Sequence, residues 1–420
     1  MKSTITKEFK KIDIDKVWAG HPVHFACERI KNDIFLAYYD SDRRLIVAHL
    51  HISTGILRKK VLPEILGWDS HNGVSIGIDS LGFIHVSANM HSSSLIYYKS
   101  EQSLCIEYFQ AIHTMTDANE ESCTYPIFMK HNNQLFFRYR SGKSGKGNIL
   151  INKYNTESSS WEPIMNTALF DGESKRNAYP SEFFIANDFF HLVWVWRETP
   201  DCETNHSPCY AKTKDFISWY DASGNIIDLP IKSNGSGAIE ILQIRSGLLN
   251  GNLKVGFDVM GRQIISYHRF DKNGYTQLYN VRFEEGVWKT YQTSNWAYRW
   301  DFKGRGAIAL EIEIFPVRVI DGKLTQHWKH NKYGEGIWFL DDKLSIIHDK
   351  PLSGIYQNIS ELTNKKHVKK MCGSPDLGLF MIWETFPKNR DKKRKIFGHY
   401  LLSSQLTLYI GISKGVYKMS

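Results

Sequence analysis

The chain has 420 residues with 53 basic against 44 acidic side chains, a formal charge of +9, and an aromatic content of 13% that includes 12 Trp and 21 Tyr. No segment is long and apolar enough to span a bilayer, and the basic start MKSTITKEFKKIDIDK lacks the apolar run of a leader. That start leaves two expectations for localisation, action in the cytoplasm or export with the leader removed. The six cysteines form no C-x-x-C pair, which argues against a zinc ribbon or a dense disulfide framework and for buried thiols.

Taken in chain order, one unit returns with variations: a start segment, a turn, an alternating apolar strand, a polar loop and further strands. The copies begin with GHPVHFACERIKNDIFLAYYD, with residues 1–16 read as an extension or a closing strand. Next come SHNGVSIGID with FIHVSANMH, TYPIFMKHNNQLFFRYR with NILINKYNTESSSW, and RNAYPSEFFIANDFFHLVWVWR with SPCYAKTKDFISW. Then follow NGNLKVGFDVMGRQIISYHRFD and, last, CGSPDLGLFMIWETF with KIFGHYLLS. Second strands are placed to start at Ile34, Phe83, Leu135, Phe190, Ile264 and Leu379, with one irregular copy between about Trp300 and Leu352. In Phe190 to Trp196 the apolar residues alternate or run short, so the period is that of strands and not of helices. Repeats of roughly 40 to 55 residues with up to four strands imply an all-β, seven-bladed β-propeller filling the whole chain as one domain.

In such a blade the start of the first strand and the end of the second lie side by side on one face. That filter collects His71, Asn72 and His91, then Tyr125 and Arg140, then Arg176, Tyr179 and Arg197, then Asn252, His268 and Arg299. The opposite mouth receives the turns IDSLG, KHNNQ, IANDF and DVMGR, which share no chemistry. Convergent His, Tyr, Arg and Asn around one channel describe a ligand site. The basic runs KNRDKKRK and KKHVKK read as solvated loops with no functional weight.

Paired carboxylates are scarce in this ring, with Asp40 the one obvious acid, whereas most glycoside hydrolases need two. Elimination beside a uronic acid asks instead for a base, an acid and a cation on the carboxylate, which His, Tyr and Arg supply. The turns NTESSSW and TKDFISW are degenerate beside the Asp-box hairpins of sialidases, and no copy carries the full pattern.

The motifs GWDSHNGVSIGID, FIHVSANMH, TYPIFMK, FFRYRSGKSGKGN, DGESKRNAYPSEF, FHLVWVWRETPD and YRWDFKGRG resemble the BNR-repeat propellers that include ulvan lyases and related rhamnose–glucuronate lyases and α-L-rhamnosidases. The likeness spans roughly Val17 to Gly306. It implies a polysaccharide lyase cleaving by β-elimination at a glucuronate or iduronate linked to rhamnose. His71, His91 and Tyr125 would handle protons at C5 and O4, with base and acid unassigned among them, and Arg140 would neutralise the carboxylate. Asn72, Arg176, Tyr179 and Arg197 would bind substrate. An α-L-rhamnosidase and a non-catalytic propeller that binds acidic glycans are the alternatives. The partner expected is an acidic polysaccharide or oligosaccharide, with neither nucleic acid nor membrane involved. No cofactor is required; the resemblance also brings a structural zinc or calcium, with His206 as candidate ligand near His268, although two histidines without a third donor fall short of a zinc signature.

Overall fold

The computed structural model describes residues 8–235, 237–351, 362–364, 366–374, 378–395 and 402–412. Most of KIFGHYLLS, the first seven residues of the N-terminal extension, Leu352 and Lys365 lie outside the described residues.

Antiparallel strands dominate, and the described residues form seven sheets of four or five strands. The first is Ala26–Ile30, Asp33–Tyr39, Arg44–His51 and Leu57–Ile65, in chain order from one edge to the other. Its two middle strands, Asp33–Tyr39 and Arg44–His51, are mostly buried, whereas Leu57–Ile65 is mostly exposed. The same order recurs in the sheet from Lys254–Phe257 to Val287–Gln292 and in that from Ile312–Ile320 to Ile346–Pro351. The stretch expected to be an irregular copy is therefore a regular four-stranded sheet, preceded by a strandless segment after Gln292.

The last sheet takes Val368–Ser374, Leu379–Thr385 and Ser403–Ile412 from the end of the chain and Glu8–Trp18 from its start. The N-terminal strand closes that sheet, pairing Lys10 with Ile410 and Trp18 with Ser403. First strands of successive sheets touch: Ala26–Ile30 meets Val74–Ile78 on one side and Val368–Ser374 on the other, so the first and last sheets are neighbours. Apolar clusters fill the spaces between neighbouring sheets, such as Phe25, Tyr38, Val86 and Trp383 in one and Phe170, Trp194 and Trp219 in another. All six cysteines are free thiols, three of them buried.

Candidate active site

The inner strands surround a cavity of about 1020 Å³ lined by His71, His91, Tyr125, Arg140, Tyr179 and Arg197 among others. Its histidines come together because one strand leaves its sheet. His91–Ser93 does not pair within the second sheet but with Cys123–His131 of the third, setting His91 opposite Thr124. The strand Cys123–His131 then loses register between Thr124 and Ile127, and Tyr125 in that bulge has φ +60°. A non-glycine residue held in the left-handed region costs free energy, and bulges of this kind re-aim side chains. Asn89 and Ser92, on either side of His91, also have positive φ.

The two imidazoles stack with centroids 4.2 Å apart, and Tyr125 meets the His71 ring edge-on at 5.7 Å. Both rings hang from one carboxylate: Nδ1 of His71 lies 2.6 Å and Nδ1 of His91 2.5 Å from the two oxygens of Asp69. Burial alone would raise the Asp69 carboxyl, but the hydrogen bonds from both histidines outweigh it and hold the group well below the usual carboxylate range. An ionised Asp69 accepts from each Nδ1–H, which selects for each neutral ring the tautomer with a bare Nε2. Asp69 was missed by sequence reasoning; its signal was a carboxylate two residues before a candidate histidine in WDSH.

Arg140 is 1% exposed. One terminal nitrogen donates to Thr124 Oγ1 at 2.9 Å, while Nε and the other terminal nitrogen are buried without a partner. No carboxylate forms an ion pair with it among the described residues. Gly147 makes room for its stem, since a Cβ there would lie 3.2 Å from Arg140 Cγ and Cδ. The guanidinium stands over the Tyr125 ring at 5.1 Å and that of Arg197 over the Tyr179 ring at 5.2 Å. Burial, then the adjacent Tyr179, pushes the Tyr125 hydroxyl up. Burial acts the same way on Tyr179, but the charges of Arg197 and Arg140 overcome it and bring that hydroxyl down. Arg197 donates to the carbonyls of Thr199, Pro200 and Asp201, again without a carboxylate partner among the described residues.

Other predicted positions fall elsewhere. Asn252 is 1% exposed and spent on backbone, donating to Ile312 O and accepting from Ile314 N, both at 3.0 Å. His268 is fully buried against Trp300, where burial lowers it to about 4. Arg299 reaches outward to Gly274 O and Asp301, over the Phe270 ring. Asn72 follows His71, but its carbonyl holds the Tyr39 hydroxyl and its side-chain oxygen is buried away from the cavity lining. Arg176 pairs with Glu173 and Glu198 outside the cavity lining. The blade-face filter gathered these five because it fixes which end of a strand a residue occupies and not which way its side chain points.

His206 uses both ring nitrogens on Glu198 and Ser207, and no set of three donors forms around it among the described residues. Asp69, His71 and His91 are the set of three donors that does come close. Their N···O separations of 2.6 and 2.5 Å are shorter than the roughly 3 Å between two ligands sharing a zinc with 2.0–2.1 Å bonds. That spacing is hydrogen bonding between the carboxylate and the two Nδ1 atoms, and not joint ligation of a zinc by those atoms.

Residues 33–296 match the family described as BNR repeat-containing family member. The chain belongs to this family. The BNR-repeat chain is similar in structure to the polysaccharide lyase Uly1, with 13% identity, TM-score 0.65 and coverage of 97% of this chain and 100% of that one. It is likewise similar to a polysaccharide lyase family 25 ulvan lyase bound to -[GlcA(1-4)Rha3S]-, with 12% identity, TM-score 0.60 and 96% of each chain covered. These likenesses give the BNR-repeat chain an all-β fold of the propeller kind. No curated protein matches it.

Proposed function

We propose that this BNR-repeat protein is a polysaccharide lyase that cleaves by β-elimination at a glucuronate or iduronate linked to rhamnose. The observation that carries the reading is Arg140, a buried guanidinium with two unpartnered nitrogens beside a His–His–Tyr cluster on the cavity. An unpaired buried cation costs the fold several kcal/mol, and a uronate carboxylate seated on the cavity wall at Arg140 would supply the missing opposite charge. Neutralising that carboxylate acidifies the adjacent C5–H. The bare Nε2 of His71 or His91 suits removal of that proton, since Asp69 holds the Nδ1–H of both rings. Tyr125, whose hydroxyl burial keeps protonated, suits protonation of the departing O4. The C5–H electron pair forms the C4=C5 double bond as the C4–O4 bond breaks. Tyr179 and Arg197 line the wall where flanking sugars would lie. The same reading takes the seven sheets as blades of one propeller domain spanning the chain.

The test is ultraviolet absorbance of an unsaturated uronate during incubation with ulvan, gum arabic and rhamnose-capped glucuronate oligosaccharides, with released rhamnose assayed in parallel. Rising absorbance is expected. Rhamnose without absorbance would establish an α-L-rhamnosidase instead, and tight binding without either product a non-catalytic acidic-glycan-binding propeller.

A further inference from the structure

The run KNRDKKRK follows Leu379–Thr385, the second strand of its sheet, and reaches the same cavity as His71. It is bound into the rim of the cavity. Asp391 accepts from Ser70 N at 3.0 Å and Ser70 Oγ at 2.6 Å through one oxygen, and from Ala307 N at 2.8 Å through the other. That second oxygen lies 3.6 Å from His71 Nδ1. Arg390 donates its backbone N–H to Ala307 O at 2.9 Å and its guanidinium to Arg305 O at 3.1 Å. Arg394 closes the turn on Pro387 O at 2.6 Å. Lys388, Asp391 and Arg305 themselves line the cavity.

Six of the eight residues from 388 to 395 are basic and one is acidic. The single acid is used to tie the segment to the histidine loop. None of Lys388, Lys392, Lys393 and Lys395 forms an ion pair among the described residues, and Lys392, Lys393 and Lys395 are exposed. A solvated charge run would have no need of a carboxylate anchored on Ser70 and Ala307. This one is held in a fixed place, with uncompensated cations next to a cavity whose own buried guanidiniums lack carboxylates. The segment also lies beyond residues 33–296, the part that matches the family.

We propose that the segment Lys388–Lys395 is a distal subsite that holds anionic sugars of the glycan flanking the cleavage position, which rests on the lyase reading above. Uncompensated lysines beside a concave site raise the local concentration of a polyanion and do so less at high salt. Their contribution grows with the number of charged sugars that reach them, so it appears on polymers and not on the shortest cleavable fragment.

The experiment compares wild type with the triple variant Lys392→Gln/Lys393→Gln/Lys395→Gln and with the matching triple Lys→Arg variant. It uses size-fractionated ulvan and an ulvan tetrasaccharide at low and high salt, with thermal unfolding run on all three proteins. The ratio of kcat/KM on polymer to that on tetrasaccharide is expected to fall at least fivefold in the glutamine variant. The arginine variant should keep the ratio, and added salt should bring wild type towards the glutamine variant. An unchanged ratio in an enzyme that still cleaves ulvan would overturn this proposal alone. Wild type that neither binds nor cleaves ulvan would overturn it together with the lyase reading. Tighter binding of duplex DNA than of ulvan, lost in the glutamine variant, would assign the segment to nucleic acid and overturn it as well.

Discussion

Two buried regions of this molecule use similar polar residues to opposite ends. Around the fifth and sixth sheets, Asn280 donates to Thr293 Oγ1 and to Gln326 Oε1, both at 2.8 Å. Gln326 in turn donates to Phe315 O at 2.9 Å, and Asn252 bridges Ile312 and Ile314. Every such amide finds a partner inside the protein, as a buried polar network must if it is to hold sheets together. Around the second to fourth sheets, Arg140 keeps two nitrogens unpartnered, three residues with positive φ surround the histidines, and one strand has changed sheets. A buried polar group that is satisfied reads as architecture. One left unsatisfied beside a cavity, at the expense of the fold, reads as a place kept for a ligand.

The sharpest way to break this contrast is Arg140→Met. Removing a buried cation without a carboxylate partner should leave the melting temperature unchanged or raise it. Turnover should fall by about 10² to 10³, as when an aimed electrostatic group is removed. The loss should be smaller on an esterified uronate, and a melting temperature that drops by many degrees would place Arg140 among the architectural residues. Tyr125→Phe and His91→Ala should each lose about 10² to 10⁴ in kcat with the fold intact, the range of general acid–base groups. Wild-type turnover in either would remove the assigned mechanism.

Asp69→Asn sharpens the comparison at the carboxylate shared by the histidines. Turnover should drop by roughly 10²-fold with KM little changed, since an amide can accept from only one of the two rings and the bare Nε2 is no longer enforced in both. Imidazole ¹⁵N spectra should show one ring losing the Nδ1–H form, because the amide can accept from one ring through its oxygen but only donate to the other through its NH2; two unchanged rings would mean that the carboxylate does not set the tautomers. Asn252→Ala makes the opposite case. It should cost about 1–3 kcal/mol, by leaving Ile312 O and Ile314 N without partners, while folded protein keeps full kcat.

The smallest effect concerns acid. His21, His191, His268 and His330 are each buried, and burial lowers each to about 4. The unfolded chain takes up protons at these positions near pH 6.5 and the folded chain does not until about 4, so stability is present above pH 6.5 and is lost as pH falls towards 4. Each contributes a change of up to about tenfold in the unfolding equilibrium per pH unit across that window. His268→Leu should flatten the acid limb of a stability-against-pH curve without altering turnover at neutral pH.

Much of the fold was legible because its signals are local. Strand period, turn residues and the recurrence of the unit place second strands at Asp33–Tyr39, Gln134–Lys143, Phe189–Arg197 and Leu379–Thr385, close to where the spacing put them. That His71, His91, Tyr125, Arg140, Tyr179 and Arg197 come to one cavity was legible for the same reason, since position along a strand selects the end of the sheet at which a residue lies. What the tertiary structure alone decided is which side chains turn inward. Asn252, His268 and Arg299 meet the same positional rule and are packed or paired elsewhere. Asp69 serves His91 across 22 positions of chain only because His91–Ser93 crosses to the neighbouring sheet. Asp391 reaches Ser70 across 321 positions because the last sheet lies against the first. Hydrogen bonding along and between adjacent strands is written in neighbouring residues, whereas desolvation and convergence on one carboxylate depend on contacts that exist only once the sheets have packed around the cavity.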